Sequence, residues 1–345
     1  GGGSGGGCGK KMTSYIKPWL SHLEQLQQLK DRGLTVTDDQ RALAHLQRIG
    51  YYRLSGYWFA FRQRSGVCTP LNKNGKRLLK KGKTDYLALD MFKHGTTFQQ
   101  AVDLYVFDKR LRLLALDGLE RIEVALRVDI AHTLGRLDPY AYLNPSLLHD
   151  EFANKIDQKT GVTPLHKWQE NHARLINRSR ETFIEHHKKK YGLPLPIWIA
   201  SEVWDFGTLS HLFGGMREQE QDAIAARYGI SNGRVFASWL RSLNYLRNVC
   251  AHHSRLWNRN MADQPRKPSH GEANLFFQGW QDAHVQARPF LLLCIVQFLL
   301  MTVNPTSTWW TRLADLLNSF PDLHAVGLNL KGMGVIEGWE QWEWT

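Results

Sequence analysis

Arg247-Asn-Val-Cys-Ala-His252 sets a guanidinium and an imidazole five positions apart, inside a segment, Asn244 to Arg259, whose pattern predicts helix. Such a pair can cut RNA without a metal. A histidine moves protons near neutral pH, an arginine grips a phosphate with a bidentate fork, and RNA supplies its own nucleophile, the 2′-hydroxyl. The catalytic candidates are therefore Arg247 and His252.

On a helix from Gly233 to Arg259, stepping 100° per residue divides these side chains between two faces. Trp239, Leu243, Leu246, Cys250 and Trp257 share the apolar face. His253 falls in its middle, so it is expected to be a core histidine bonded to a buried acceptor. Asn244, Asn248, His252, Arg255 and Arg259 step along the opposite side, with Arg241 close to their line, and make a basic stripe that fits RNA. A blander reading pairs the stripe with carboxylates of a neighbouring helix, for which Asp117, Glu120 and Glu123 are candidates. Arg247 fits poorly, because five residues turn an ideal helix by about 140° and carry it away from His252. Either the helix is distorted at the motif, or two copies of it grip the phosphate across a two-fold axis. The dimer is the preferred reading, since it also supplies a second proton-transfer group.

The elements that must position this motif are read from periodicity. Ile16, Trp19, Leu23, Leu26 and Leu29 predict an amphipathic helix from Tyr15 to Leu29, and a second is expected from Asp38 to Ile49. Gly50 to Phe61 then gathers Tyr51, Tyr52, Tyr57, Trp58, Phe59 and Phe61, which read as a core seam more readily than as a base-stacking platform. Arg62 to Lys83 reads as a basic surface loop, with Lys73, Lys76, Arg77, Lys80 and Lys81 as candidate phosphate contacts. Phe98 to Leu134 is strongly helical, with a possible bend at Gly118. Residues 138–196 are broken by five prolines and read as an insertion of short helices and loops; its basic run includes Lys188, Lys189 and Lys190, further RNA candidates. Helices are expected again at Ile197 to Leu212, Glu218 to Tyr228, Gly233 to Trp257 and Trp280 to Val303. No run alternates as strands do, so the fold class is mainly α.

Composition narrows the partners. Lys plus Arg number 44 against 32 Asp plus Glu, a formal charge of +12, which points to a polyanion such as nucleic acid or an anionic membrane. The longest apolar run, Phe290 to Val303, is shorter than the ~20 residues that cross a bilayer, and it contains Gln297. Four scattered cysteines fit a reducing cytoplasm. The organisation expected is a glycine-rich engineered linker over 1–11, an N-terminal helical region with the basic loop over 12–95, and a helical domain over 96–345. Cys250, His252 and His253 diverge on a helix and make a poor metal set, so no cofactor is expected.

The segment Arg247 to Arg259 resembles the signature of Abi-like abortive-infection proteins, the AbiD and AbiF group of the HEPN superfamily of helical RNases. Gly50 to Trp58 (GYYRLSGYW), Leu119 to Arg127 (LERIEVALR) and Trp204 to Ser210 (WDFGTLS) resemble the family's other blocks in the same order, so the likeness covers most of the chain from about Met12. It implies a HEPN-like helical bundle, a composite RNase site made by paired motifs in a homodimer, and a role in phage defence. The family's arginine and histidine fall on Arg247 and His252, and its intervening polar residue on Asn248. Some relatives resemble toxins held in check by a small structured RNA. Glu120, Glu123 and Arg127 share one side of their helix and could orient the motif. The alternative is a non-catalytic RNA-binding module in which the same face only holds phosphates.

Overall fold

The computed structural model describes residues 14–69, 71–72, 74–78 and 84–345. The chain divides into two compact units, one up to Val102 and one from Asp103 to Thr345.

In the first unit α1 runs His22–Asp31, α2 Asp39–Arg48 and α3 Tyr51–Trp58. Helix α1 starts seven residues later than periodicity predicted. Pro18 lacks an amide proton, and a capping box fixes the start, the Ser21 hydroxyl accepting from the Glu24 N–H while the Glu24 carboxylate accepts from the Ser21 N–H. Leu26 and Leu29 are buried, whereas Tyr15, Ile16, Trp19 and Leu23 are exposed. The aromatic segment also divides. Tyr57, Trp58 and Phe61 enter the core, Tyr52 is exposed, and Phe59 lies under the guanidinium groups of Arg62 and Arg64. Two short antiparallel strands form, β1 (Arg62–Arg64) in sequence expected to be loop and β2 (Ala88–Phe92) beyond it, with Arg62 opposite Phe92 and Arg64 opposite Ala88. They are joined partly through a side chain, the Arg62 Nε donating to the Leu89 carbonyl at 2.6 Å.

The second unit is organised along α4, Phe98–Leu137, whose first residues belong to the first unit. Leu104, Leu111, Ala115, Leu119, Ile122, Leu126 and Ile130 of α4 are buried. Gly118 allows a close approach, because a Cβ there would stand 2.6 Å from Val296 Cγ1 and 3.0 Å from Trp309 Nε1. After α4 come α5 (Asp150–Ala153), α6 (Pro164–Arg178), α7 (Thr182–Tyr191), α8 (Ile197–Ala200), α9 (Phe206–Gly215), α10 (Glu218–Arg227), α11 (Gly233–Ala251), α12 (Ala283–Gln286), α13 (Pro289–Val303) and α14 (Trp309–Asn318). The fold is mainly α.

Three helix expectations change. Ile197 to Leu212 breaks at Trp204, which is extended, and α9 restarts behind an Asp205 cap. Pro289 begins α13, nine residues later than expected. Helix α11 ends at Ala251, not at Trp257. Phe290 to Val296, Leu299 and Leu300 bury α13 almost all round, and among the described residues no helix is long and apolar enough to cross a membrane.

Candidate active site

Helix α11 packs against α9, α10 and α13, burying Phe236, Trp239, Leu240, Leu243, Leu246 and Cys250. Arg247 and Asn248 sit half-buried on its flank, and Arg247 Nη1 donates to Asn248 Oδ1 at a long 3.4 Å. The helix stops inside the motif. His252 is its C-cap, with φ −88° and ψ 9°. The His253 N–H donates to the Cys250 carbonyl at 3.2 Å and the Ser254 N–H to the Val249 carbonyl at 3.0 Å, the paired bonds of a Schellman turn. His253 holds the left-handed position of that turn at φ 57°, where glycine is usual.

Both histidines are consequently exposed, and the expected core histidine is not found. The physical reason is that the helical wheel ceases to apply at residue 252, and the left-handed residue reverses the direction in which the next side chain points. For the same reason the five-residue stripe along one helix does not exist. Asn244 and Asn248 are helical, His252 is a cap, and Arg255 and Arg259 belong to the loop that follows. Of the two ways to reconcile Arg247 with His252, the structure displays a break in the helix.

That loop folds back and is held from below. Asp108 on α4 is wholly buried, and its carboxylate accepts from the N–H groups of Leu256 (3.0 Å) and Trp257 (2.7 Å). Arg112, one turn on and 4% exposed, donates to Asp108 at 2.6 Å and to the Ser254 carbonyl at 3.3 Å. Trp257 fills the core beside Phe320. Arg259 donates to the Tyr245 hydroxyl at 3.2 Å and to the Arg255 carbonyl at 3.0 Å, which ties the loop to the side of α11. Asp108 and Arg112 were missed in the sequence. Their trace was nonetheless there, an acid and an arginine at i,i+4 falling among Leu104, Leu111 and Ala115 on the apolar stripe of α4.

Two further blocks meet beside α11 around Glu123, within electrostatic reach of Arg247. Arg127 on α4 donates to Glu123 at 3.3 Å and to the Trp204 carbonyl at 2.9 Å. Glu123 lies within electrostatic reach of Arg127 and Arg247 on one side, and of Asp205 and Glu120 on the other. Burial is the strongest influence on it and raises its carboxyl above the ordinary value. The Trp204 turn is anchored by its indole N–H, which donates to His172 Nδ1 at 2.9 Å; burial lowers the His172 pKa to about 4 and keeps that ring a neutral acceptor. Asp205 caps α9, accepting from the Thr208 N–H at 2.9 Å and its hydroxyl at 2.7 Å. Gly207 lets this turn press on α11, since a Cβ there would lie 3.3 Å from Asn244 Oδ1. The half-buried Glu123, Arg127 and Arg247, with the exposed Glu120 and Asp205, thus form one charged cluster, with Asn248 at its edge.

The remaining basic candidates are dispersed. Arg241 lines a cavity of about 430 Å³ on another side of α11. Lys188 donates to the Ile176 carbonyl at 3.0 Å and so ties α7 to the end of α6, while Lys189 and Lys190 are exposed in the last turn of α7. Lys76 and Arg77 are exposed in the first unit; Lys73, Lys80 and Lys81 lie outside the described residues. Among the described residues no three His, Cys, Asp or Glu side chains gather as metal ligands. Burial, with the Asp108 charge adding to it, pushes the Cys250 thiol up to about 12, so it stays protonated and is neither nucleophile nor ligand.

A family model described as Abi-like protein matches residues 44–258, a span that includes every residue of the charged cluster and the motif through Trp257. No curated protein and no solved structure matches the chain.

Proposed function

The chain belongs to the Abi-like protein family, that of bacterial abortive-infection proteins, and from that premise we propose that it is a metal-independent endoribonuclease of the HEPN kind. The observation that carries this reading is the meeting of three separate sequence blocks around Glu123, Arg247 among them, with His252 exposed five residues on at the end of the same helix.

In the proposed reaction His252 takes the proton of a ribose 2′-hydroxyl, and the oxygen attacks the adjacent phosphorus. The bond to the 5′-oxygen breaks, and that oxygen takes a proton from His252 of a second copy of the chain. Arg247 and Asn248 stabilise the added charge on the phosphate. Glu123 and Arg127 act on Arg247 as positioning residues, holding the guanidinium on the flank of α11. The partners proposed are target RNA and a second copy in a homodimer, with a small structured RNA as regulator.

Cleavage should persist in EDTA, leave a 2′,3′-cyclic phosphate and a 5′-hydroxyl, and fail on substrate lacking the 2′-hydroxyl at the cut. His252→Ala should slow it by about 10² to 10⁴-fold. A variant that cuts as fast as wild type removes His252 from the mechanism. Stoichiometric RNA binding without turnover by the dimer favours the alternative, a non-catalytic binding module.

A further inference from the structure

The cavity beside Arg241 has the composition of an anion site. Its roughly 430 Å³ are bounded by Arg234, Arg241 and Arg266, with His149, Glu151 and Gln221 among the other walls. Arg234 is already neutralised by Glu218 at 2.5 Å, and Glu151 stands 4.0 Å from Lys155. Arg241 and Arg266 differ, since among the described residues neither guanidinium has an ion pair or a hydrogen bond. Their proximity is built in. The Arg266 N–H donates to the Ser238 hydroxyl at 2.9 Å and its carbonyl accepts from the Trp239 indole at 2.9 Å, which fastens residue 266 to α11 one turn before Arg241. Two guanidinium groups that line one concavity, neither of them paired with a carboxylate, call for an anion.

The position of the cavity relates it to Arg247. On α11, Arg241, Asn244 and Arg247 follow one another at three-residue steps, so each is turned about 60° from the last and the line spans about 9 Å along the axis. Asn244 touches the Gly207 turn, and a second cavity of about 610 Å³ opens there, lined by Asp205, Gly207, Thr208, Asn171 and Trp168. Phe152 borders both cavities. The arginine cavity, then the 610 Å³ cavity at the Gly207 turn, and then Arg247 therefore lie in succession.

We propose that Arg241 and Arg266 hold a backbone phosphate of an RNA strand, one that lies outside the scissile position and reaches Arg247 past Asn244. The inference rests on the RNA-cleaving reading for its ligand, but it is a statement about binding. It is tested without cleavage, on a 2′-O-methyl oligoribonucleotide of about 12 nucleotides that cannot be cut. With the full chain, the double variant Arg241→Ala/Arg266→Ala should weaken binding by about 10-fold or more at low salt. The dependence of log K on log salt should become shallower by about 0.7, the contribution of one single-strand phosphate. Arg241→Lys/Arg266→Lys should restore most of that slope. Both positions are exposed, so the variants should melt at the wild-type temperature, and a thermal scan checks this. An alanine variant that binds with wild-type affinity and salt slope overturns the proposal, as does a wild-type chain that does not bind the oligonucleotide. Failure of the nuclease reading would show separately, as a wild-type chain that binds RNA and does not cut it.

Discussion

Of the three acid and arginine pairs that helix α4 carries at the same spacing, Asp108–Arg112 and Glu123–Arg127 meet opposite circumstances. The first is sealed, its side chains 0% and 4% exposed and its carboxylate filled by two backbone N–H groups besides the guanidinium. The second remains accessible, at 22% and 15%, and shares its charge with a third group, Arg247, on another helix. Pairing alone therefore does not distinguish a structural ion pair from a functional one. What distinguishes them is whether the carboxylate's remaining capacity is consumed by the fold, as at Asp108, or left shared among several charged side chains, as at Glu123.

The largest test of this contrast is Asp108→Ala. It leaves Arg112 without its carboxylate and the Leu256 and Trp257 amides without an acceptor, and should cost about 3–5 kcal/mol of stability by urea unfolding. A loss below 1 kcal/mol would place the pair with ordinary surface bridges. A smaller effect of opposite sign is expected at the loop this pair holds. His253→Gly relieves a left-handed side chain and should raise stability by roughly 0.5–1 kcal/mol, net of glycine's greater freedom when unfolded. A destabilised variant would mean that the imidazole itself supports the turn.

The smallest expected effect is a slope. Because burial raises the Glu123 carboxyl in the folded chain, the native state binds protons more tightly than the unfolded one. Stability from this group is therefore complete below the unfolded pKa and is lost as pH rises through the folded value. Glu123→Gln should gain on wild type across that interval and run parallel to it above. Parallel curves throughout would show that Arg127 and Arg247 cancel the burial.

Much of the framework was legible because it follows from one residue at a time. The apolar stripe of α4 without a proline announced a long helix, and the start of α11 follows Asn232, whose side chain caps it. Its end was not legible. Ala251-His-His-Ser254 contains no glycine or proline, and Trp257 keeps the helical period by coincidence, being buried by the loop's own path. The capping box at Ser21 and Glu24 is a local signal of the true start, which the apolar period through Ile16 and Trp19 does not carry. Within the site, Arg247 and His252 were singled out by residue type. The nearness of Asp205 and the burial of Asp108 arise between elements far apart in the chain, where no local spacing records them.

The termination of α11 within its own motif divides that motif mechanically. Arg247 rides on the helix as part of a rigid rod, whereas Leu256 and Trp257 are bolted to α4 through Asp108. His252 occupies the joint between the two bodies, and the left-handed residue after it is the hinge pin. The separation of guanidinium and imidazole is therefore set by the turn that closes α11 as well as by the pitch of the helix.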